Sequence, residues 1–402
     1  MAENKKTLII PMILIGSMFA VLGFALGINA FFVPFVKEAF KISITMSYLV
    51  MTATFLSFVV FGIPSGAIIK KFGYKGGMII AFLIMAIGFY LIAPAAKIVS
   101  FPLLLLALFI SGMGQTLLTG AVNTYVAIIG PAESAASRIA IMGICSKTFY
   151  AVASLMLAVF MDLSNVHIED TILPFYIISG GLIVMGLVYY FSPLPEVKAI
   201  GEDEENDDSS TSSYASTKTS IFQFPHLLLG VIAIFFDIGL EYVALGSIND
   251  YAARLNLPSP QNYVWFVSAG MVIGYLLGVL FIPKFISQGT ALLLSTIFGV
   301  IVTVAIVLSP AGISIYLVAL LGLANALLWP AIWPLAIADL GKFTKMGSAL
   351  LVTGIIGGAF IPLLFGYIAD LSSHHIAYIV CLPAYIYIMY FALSGSKIRT
   401  KI

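Results

Sequence analysis

Three ionisable side chains stand inside long stretches of sequence that are otherwise almost uncharged: Lys147, Asp237 and Glu241. On a helix rising about 1.5 Å per residue, Asp237 lies roughly 18 Å beyond Pro225 and Lys147 roughly 14 Å beyond Arg138. Glu241 follows Asp237 at i, i+4 and shares its helical face. Two acids and one base at one depth have a limited chemistry. The lysine neutralises one carboxylate, and the other acid then takes a proton, a cation or a cationic group of a bound solute. Asp237 and Glu241 are therefore the expected coupling-ion residues, and Lys147 the expected clamp for a carboxylate or hydroxyls of that solute. A static salt bridge between helices is the plainer alternative for the same residues.

Two polar stripes accompany them. Gln115, Thr119 and Asn123 follow one another at i, i+4, i+8, as do Asn325, Trp329 and Trp333. Each set falls on one face of a continuous helix. Amides and aromatic rings at one depth suit a polyhydroxylated solute, held by hydrogen bonds and by stacking on its C–H face. Asn29 is a further lining residue, placed towards the far end of its segment. Pro330 and Pro334 are expected to interrupt their helix and free backbone carbonyls. Asp250 and Arg254 read as a surface pair, Asp339 as a partner of Lys342 or Lys345, and Asp370, His374 and His375 as an exposed cluster. No metal-ligand spacing is present. Cys145 and Cys381 both lie in apolar runs and read as inert buried thiols. The glycines of the stretch 354–358 are expected to form small-residue helix contacts that let two bodies slide.

The elements that carry these residues follow from composition. Of 402 residues, 61% are hydrophobic and 9% charged, against about 25% charged in an average soluble domain. Such a chain cannot clothe a soluble surface, which excludes a cytosolic enzyme, a nucleic-acid binder and a disordered scaffold. A net charge of +1 recruits no polyanion. Apolar runs long enough for a bilayer core, about 20 residues, number twelve: Leu8–Phe35, Ser43–Ile69, Gly76–Ala95, Phe101–Ile129, Ile139–Met161, Ile172–Phe191, Pro225–Gly246, Val264–Ile282, Thr290–Leu308, Ile313–Ala338, Met346–Tyr367 and Ile376–Ser394. The fold class is thus an all-α membrane protein. The first run follows Lys5 and Lys6, but it is too long for a signal peptide and reads as an uncleaved span. With the N-terminus inside, fourteen of the nineteen Lys and Arg fall on the inner side and four outside, so both termini are expected in the cytoplasm. An acidic, Ser/Thr-rich linker of disordered composition divides the chain into residues 1–192, the linker 193–222, and residues 223–402, six spans on either side.

The halves echo one another. IIKKFGYKGG after the second run matches FIPKFISQGT after the eighth, and GPAESAASR after the fourth matches DLGKFTKMGS after the tenth. A duplicated six-plus-six plan is that of a rocking carrier with its site between the halves. The segment GAIIKKFGYKGG resembles the signature of the major facilitator superfamily between spans two and three. It keeps Gly66, Gly73 and Lys75, has Lys71 for an Arg, and carries Lys70 where the signature has Asp and Tyr74 where it has a second Arg. Gly66, Lys71, Gly73 and Lys75 are thereby implied as a gating loop. The strings GINAFFVPFVKEAF, AVNTYVAIIGPAES, FFDIGLEYVALGSI and LGKFTKMGSALLVTGIIGGAFIPLLFGYIAD are similar to the fucose–galactose–glucose:proton symporter family. The resemblance implies import of a neutral hexose with a cation, usually H⁺. Fucose-transporting members carry acids where this chain has Ala30 and Thr119, and an Asn where it has Ser146. Gly239-Leu240-Glu241 matches the Gly-x-Glu of several glucose-type members.

The expected activity is secondary active transport of a hexose or hexose derivative by alternating access, coupled to H⁺ or Na⁺ in symport. An exporter of small amphipathic compounds, or an uptake carrier for an acidic sugar using Lys147, is the alternative. The four histidines sit at span ends or in loops without a catalytic spacing, so no enzyme and no cofactor are expected. The expected setting is a bacterial inner membrane, multi-pass and monomeric, with lipid, a sugar-like solute and a cation as the only partners and no nucleic acid.

Overall fold

The computed structural model describes residues 9–42, 44–47, 49–161, 166–199, 213–258 and 262–400. Lys5, Lys6 and linker residues 200–212 lie outside the described residues, and with them the expectations placed there. Among the described residues the secondary structure is helical throughout, with no strand. An apolar solvent demands this, because a helix satisfies its backbone hydrogen bonds within one segment.

In chain order the principal helices are α1 (Ile9–Phe40), α2 (Leu49–Val60), α3 (Gly62–Lys97), α4 (Phe101–Ile128), α5 (Ala135–Ala158) and α6 (Ile172–Phe191). After the linker come α7 (Pro225–Arg254), α8 (Val264–Phe281), α9 (Gln288–Leu308), α10 (Ala311–Asn325), α11 (Leu328–Ile337), α12 (Thr344–Thr353), α13 (Gly357–Leu371) and α14 (Cys381–Leu393). Ten helical stretches are long and apolar enough to cross a membrane, and α2 is a shorter apolar helix. The 24-residue α5 is more polar, because it carries Arg138 and Lys147. Large apolar side chains such as Leu187, Phe191, Leu280 and Leu363 point outward, each more than half exposed. A soluble surface rarely tolerates so broad an apolar patch, whereas lipid wets it.

Several boundaries differ from the apolar runs. The segment expected between the second and third runs is a kink, not a loop. Helix α3 continues through it, broken only at Gly73 with φ +75°. The tenth run splits at residues 326–327 into α10 and α11. Pro330 explains the position of that break, since it has no N–H for the carbonyl four residues earlier and its ring crowds that carbonyl.

Within each half, two helices meet backbone to backbone through glycine. A Cβ on Gly23 would lie 1.9 Å from the Ser146 carbonyl oxygen, and one on Gly27 2.4 Å from that of Tyr150, so α1 and α5 admit no side chain there. In the second half a Cβ on Gly357 would lie 1.8 Å from the Phe235 carbonyl oxygen and one on Gly354 2.6 Å from that of Val231. The glycines of 354–358 expected to let the halves slide thus pack inside the second half against α7. The close glycine contacts between the halves are elsewhere. Gly62 and Gly66 of α3 face Thr353 and Ala349 of α12, and beside them the hydroxyls of Thr124 and Ser348 hydrogen bond.

Candidate functional site

A cavity of about 110 Å³ lies between the two halves. From the first half it takes Thr119 and Asn123 of α4, Ser146 and Lys147 of α5, and Phe55 of α2. From the second half it takes Glu241 and Tyr242 of α7, Tyr275 of α8 and Trp329 of α11. The helices set these side chains by periodicity. Thr119 and Asn123 recur at one turn on α4, and Asn123 fixes its amide by donating from Nδ2 to the Thr119 carbonyl at 2.9 Å. Its Oδ1 then accepts from the indole Nε1 of Trp329 at 2.9 Å. One polar bond therefore crosses between the halves on the cavity wall, with one face of the indole backed by Trp333 at 5.0 Å between ring centroids.

The second crossing bond is ionic. Lys147 Nζ donates to Glu241 Oε1, a salt bridge whose side chains are 21% and 11% exposed. Of the two acids on one face of α7, the lysine takes the one that reaches the cavity. Asp237, one turn away, does not line the cavity; it is 1% exposed and its Oδ2 has no hydrogen-bond partner. The pair balances the cavity's charge and leaves one further carboxyl buried within the second half. Two aromatic contacts join the same wall. Tyr242 meets Phe55 edge-on at 5.2 Å across the halves, and the Tyr275 ring fills the space a Cβ on Gly143 would need, 2.8 Å away.

Of the residues expected at the site, Thr119, Asn123, Lys147, Glu241 and Trp329 come together on this wall. The others lie elsewhere. Gln115 is buried one turn back on α4, its Nε2 3.5 Å from Ser111 Oγ and its Oε1 without a partner. Asn325 turns into the second half and accepts from the Tyr385 hydroxyl at 2.5 Å. The helix break between Asn325 and Trp329 shifts their phase, so the i, i+4 spacing does not keep them on one face. Trp333 is fully buried behind Trp329. Asn29 binds Thr54 Oγ1 at 3.2 Å within the first half. Tyr242, Tyr275 and Phe55 were not singled out in the sequence, where 19 Tyr and 30 Phe look alike; only adjacency to Glu241 marks Tyr242.

The gating-loop residues occupy the end of the molecule from which the linker leaves. Gly66 packs on α12, Lys71 lies 5.2 Å from the centroid of the Phe72 ring, and Lys75 donates to the Ser192 carbonyl at 2.8 Å. Two surface assignments change, and the surface pair of Asp250 with Arg254 stands. Asp339 pairs with Arg399 at 2.7 Å rather than with Lys342 or Lys345, because the 3-10 helix Gly395–Thr400 packs back against α7 and brings Arg399 to it. His374 is 6% exposed, not solvated, and sits 2.7 Å from Asp250. Arg254 bridges Asp250 at 3.3 Å to Asp370 at 3.8 Å.

Comparison with known proteins agrees with this architecture. The sequence model of the Major Facilitator Superfamily matches residues 13–362. A glucose/galactose transporter of Brucella abortus (strain 9-941) is 29% identical over 392 residues, covering 94% of this chain and 92% of that one. An L-fucose-proton symporter of Escherichia coli (strain K12) is 25% identical over 405 residues, covering 93% and 90%. The crystal structure of the Major Facilitator Superfamily transporter FucP in the outward conformation superposes with a TM-score of 0.81 at 22% identity, covering 96% of this chain and 99% of that one. The apolar helices are those of a multi-pass membrane transporter and not of an enzyme: the chain belongs to the Major Facilitator Superfamily.

Proposed function

We propose that this protein imports a neutral hexose-like sugar together with a proton, by alternating access of the cavity between its halves. The observation that carries the reading is the cavity wall itself, where Asn123, Thr119 and Trp329 offer amide, hydroxyl and indole groups beside the Lys147–Glu241 pair. Lys147 is already neutralised by Glu241, which favours an uncharged substrate over a sugar acid. Asp237, buried and without a basic partner of its own, is the group that takes up and releases the coupling ion; Glu241 joins it when Lys147 lets go. The relatives named as a glucose/galactose transporter and an L-fucose-proton symporter support the substrate class and H⁺ over Na⁺.

The same reading places twelve spans in the membrane, six in residues 1–192 and six in 223–402. Both termini and the linker face the cytoplasm, as the inner excess of Lys and Arg demands. Contacts between the halves at Gly62, Gly66, Thr124 and Ser348 close the linker end.

The test is uptake into proteoliposomes of labelled hexoses, N-acetylated hexoses and sugar acids, under an imposed H⁺ gradient, an Na⁺ gradient, or neither. Concentrative uptake of a neutral hexose under the H⁺ gradient alone is the expected result. Accumulation of a sugar acid, or drive by Na⁺ alone, overturns the corresponding part of the assignment.

A further inference from the structure

Between the glycine contacts of α1 with α5 and the linker end, the outer faces of these two helices leave a groove of about 700 Å³. Its walls include Ile13 and Gly16 of α1 and Ile141 and Phe149 of α5. Ile13, Ile141 and Phe149 are exposed, so the groove opens on the apolar surface that meets lipid. From Arg138 at one end to Phe149 at the other run eleven residues of helix, about 16 Å. That is about half of a hydrocarbon core of about 30 Å, the depth of one leaflet.

The groove is polar at one end, where Ser134, Ser137 and Arg138 line it. This is the linker end. Arg138 donates to the carbonyls of Val126 and Ala127 on the last turn of α4, beside Tyr125, whose hydroxyl donates to the Pro195 carbonyl at the start of the linker. The guanidinium also donates to the Pro131 carbonyl and to Ser134 Oγ. Four of its five N–H groups thus meet neutral acceptors, and one on Nη2 meets none among the described residues. Arg138 is 4% exposed. No carboxylate among the described residues lies within ion-pair reach of it; Glu133, in the turn before α5, is turned to solvent. The Ser137 hydroxyl, on a residue 9% exposed, also has no hydrogen-bond partner among the described residues. A cation on an apolar membrane face is costly and is normally paired. The partner that fits is anionic at its head and apolar for about 16 Å behind it.

We propose that this groove binds one anionic phospholipid from the leaflet at the linker end. The phosphate lies against the open N–H of Arg138 and the Ser137 hydroxyl, and one acyl chain runs past Ile141 and Gly16 to Phe149. The lipid thereby fastens α1 to α5, the helix that carries Lys147. The site is separate from the cavity between the halves, and the proposal is independent of which solute that cavity takes.

The experiment uses the full chain in nanodiscs of mixed phosphatidylcholine and phosphatidylglycerol, with one lipid or the other brominated on its acyl chains to quench tryptophan on contact. Trp265→Phe removes the exposed native tryptophan, while Trp329 and Trp333 remain as a constant background. Ile141→Trp then reports from the groove. Leu187→Trp, on the exposed face of α6 near the linker end of that helix, reports from the ordinary lipid boundary. Quenching across the mixtures gives the preference for phosphatidylglycerol at each reporter. A basic side chain near the headgroups is worth about fivefold. The expected result is a preference of about fivefold at Ile141→Trp and none at Leu187→Trp. Adding Arg138→Gln to Ile141→Trp should erase the preference. Gly16→Leu should erase it too, without touching the cation. A Cβ there makes only ordinary contacts, 3.7 Å from Cys145 Sγ and Met142 Sδ, and the branched end enters the groove; this variant carries the test where Arg138→Gln does not fold. No preference at Ile141→Trp, an equal preference at both reporters, or a preference that survives Gly16→Leu overturns the proposal. Weak quenching of Ile141→Trp by both lipids also overturns it, since the groove would then be covered by protein.

Discussion

Removing one member of the Lys147–Glu241 pair tests whether it is a true partnership. Lys147→Met leaves the Glu241 carboxylate facing a small cavity, with Asp237 one turn behind it and no cation opposite. Breaking a buried ion pair from one side costs about 3–5 kcal/mol. The exposures of 21% and 11% place this pair at the lower end, about 3 kcal/mol. Glu241→Gln should cost less, about 1.5 kcal/mol, because glutamine still accepts from Lys147. The double variant loses both charges together and should cost no more than about 1.5 kcal/mol. The coupling energy in the cycle is then about −3 kcal/mol. With an unfolding entropy of about 2.1 cal/mol/K per residue, a chain of this length loses about 1.2 °C of melting midpoint per kcal/mol. Lys147→Met should therefore melt about 3–4 °C below the parent, and the double variant about 2 °C below it. The assay is dye-monitored melting in one detergent at one scan rate, since carriers of this size unfold irreversibly. Losses that simply add in the double variant, or a Lys147→Met midpoint within about 1 °C of the parent, would refute the pairing.

Other predictions follow from the same geometry. Asp237→Asn should abolish accumulation driven by an H⁺ gradient while leaving equilibrium exchange of labelled sugar intact, because an amide cannot carry the proton; retained accumulation in that variant removes Asp237 from coupling. Trp329→Phe keeps a stacking face but deletes the donor to Asn123, so sugar binding measured by calorimetry should weaken about fivefold to tenfold; an unchanged Kd would take the indole out of the site. Gly66→Val places a branched side chain where even a Cβ sits 2.6 Å from that of Ala349, so the linker end should fail to close and initial uptake rates should fall at least about tenfold at unchanged expression. Arg138 donates to the carbonyls of Val126, Ala127 and Pro131 and to Ser134; Arg138→Lys loses the planar fork and should lower the melting midpoint by about 2–4 °C without altering sugar affinity in the protein that remains folded.

What the sequence disclosed depends on how local each signal is. The membrane helices are legible because the bilayer imposes about 20 apolar residues on each span, and α7 with Asp237 and Glu241 falls within such a run. The chemistry of the ionic group was legible as a class. Which acid Lys147 takes was not, because acids at i, i+4 share a face and only tertiary packing decides which one reaches the cavity. On α4, Thr119 and Asn123 do share the cavity wall, because the helix is regular there. The stripe from Asn325 to Trp329 does not, because residues 326–327 interrupt the helix and periodicity holds only along an unbroken one. Glu196 at the kink of α3 was invisible for a different reason. It opens an acidic stretch and accepts from the N–H groups of Tyr74 and Lys75 across 122 and 121 positions of chain, and no local pattern records such a pairing.

The charge balance of the Lys147–Glu241 pair also bears on how the carrier is powered. A pair that carries no net charge can change its exposure between the two sides of the bilayer without moving charge through the transmembrane field. In the proposed cycle, which takes up a neutral sugar, the one charge left to cross is then the coupling proton assigned there to Asp237. Each 100 mV of membrane potential, negative inside, contributes about 2.3 kcal/mol to that movement. This alone supports about a fortyfold accumulation of sugar. Uptake by this protein would then persist in an alkaline medium with no pH gradient, as long as the membrane stays polarised, and would generate an inward current proportional to sugar flux.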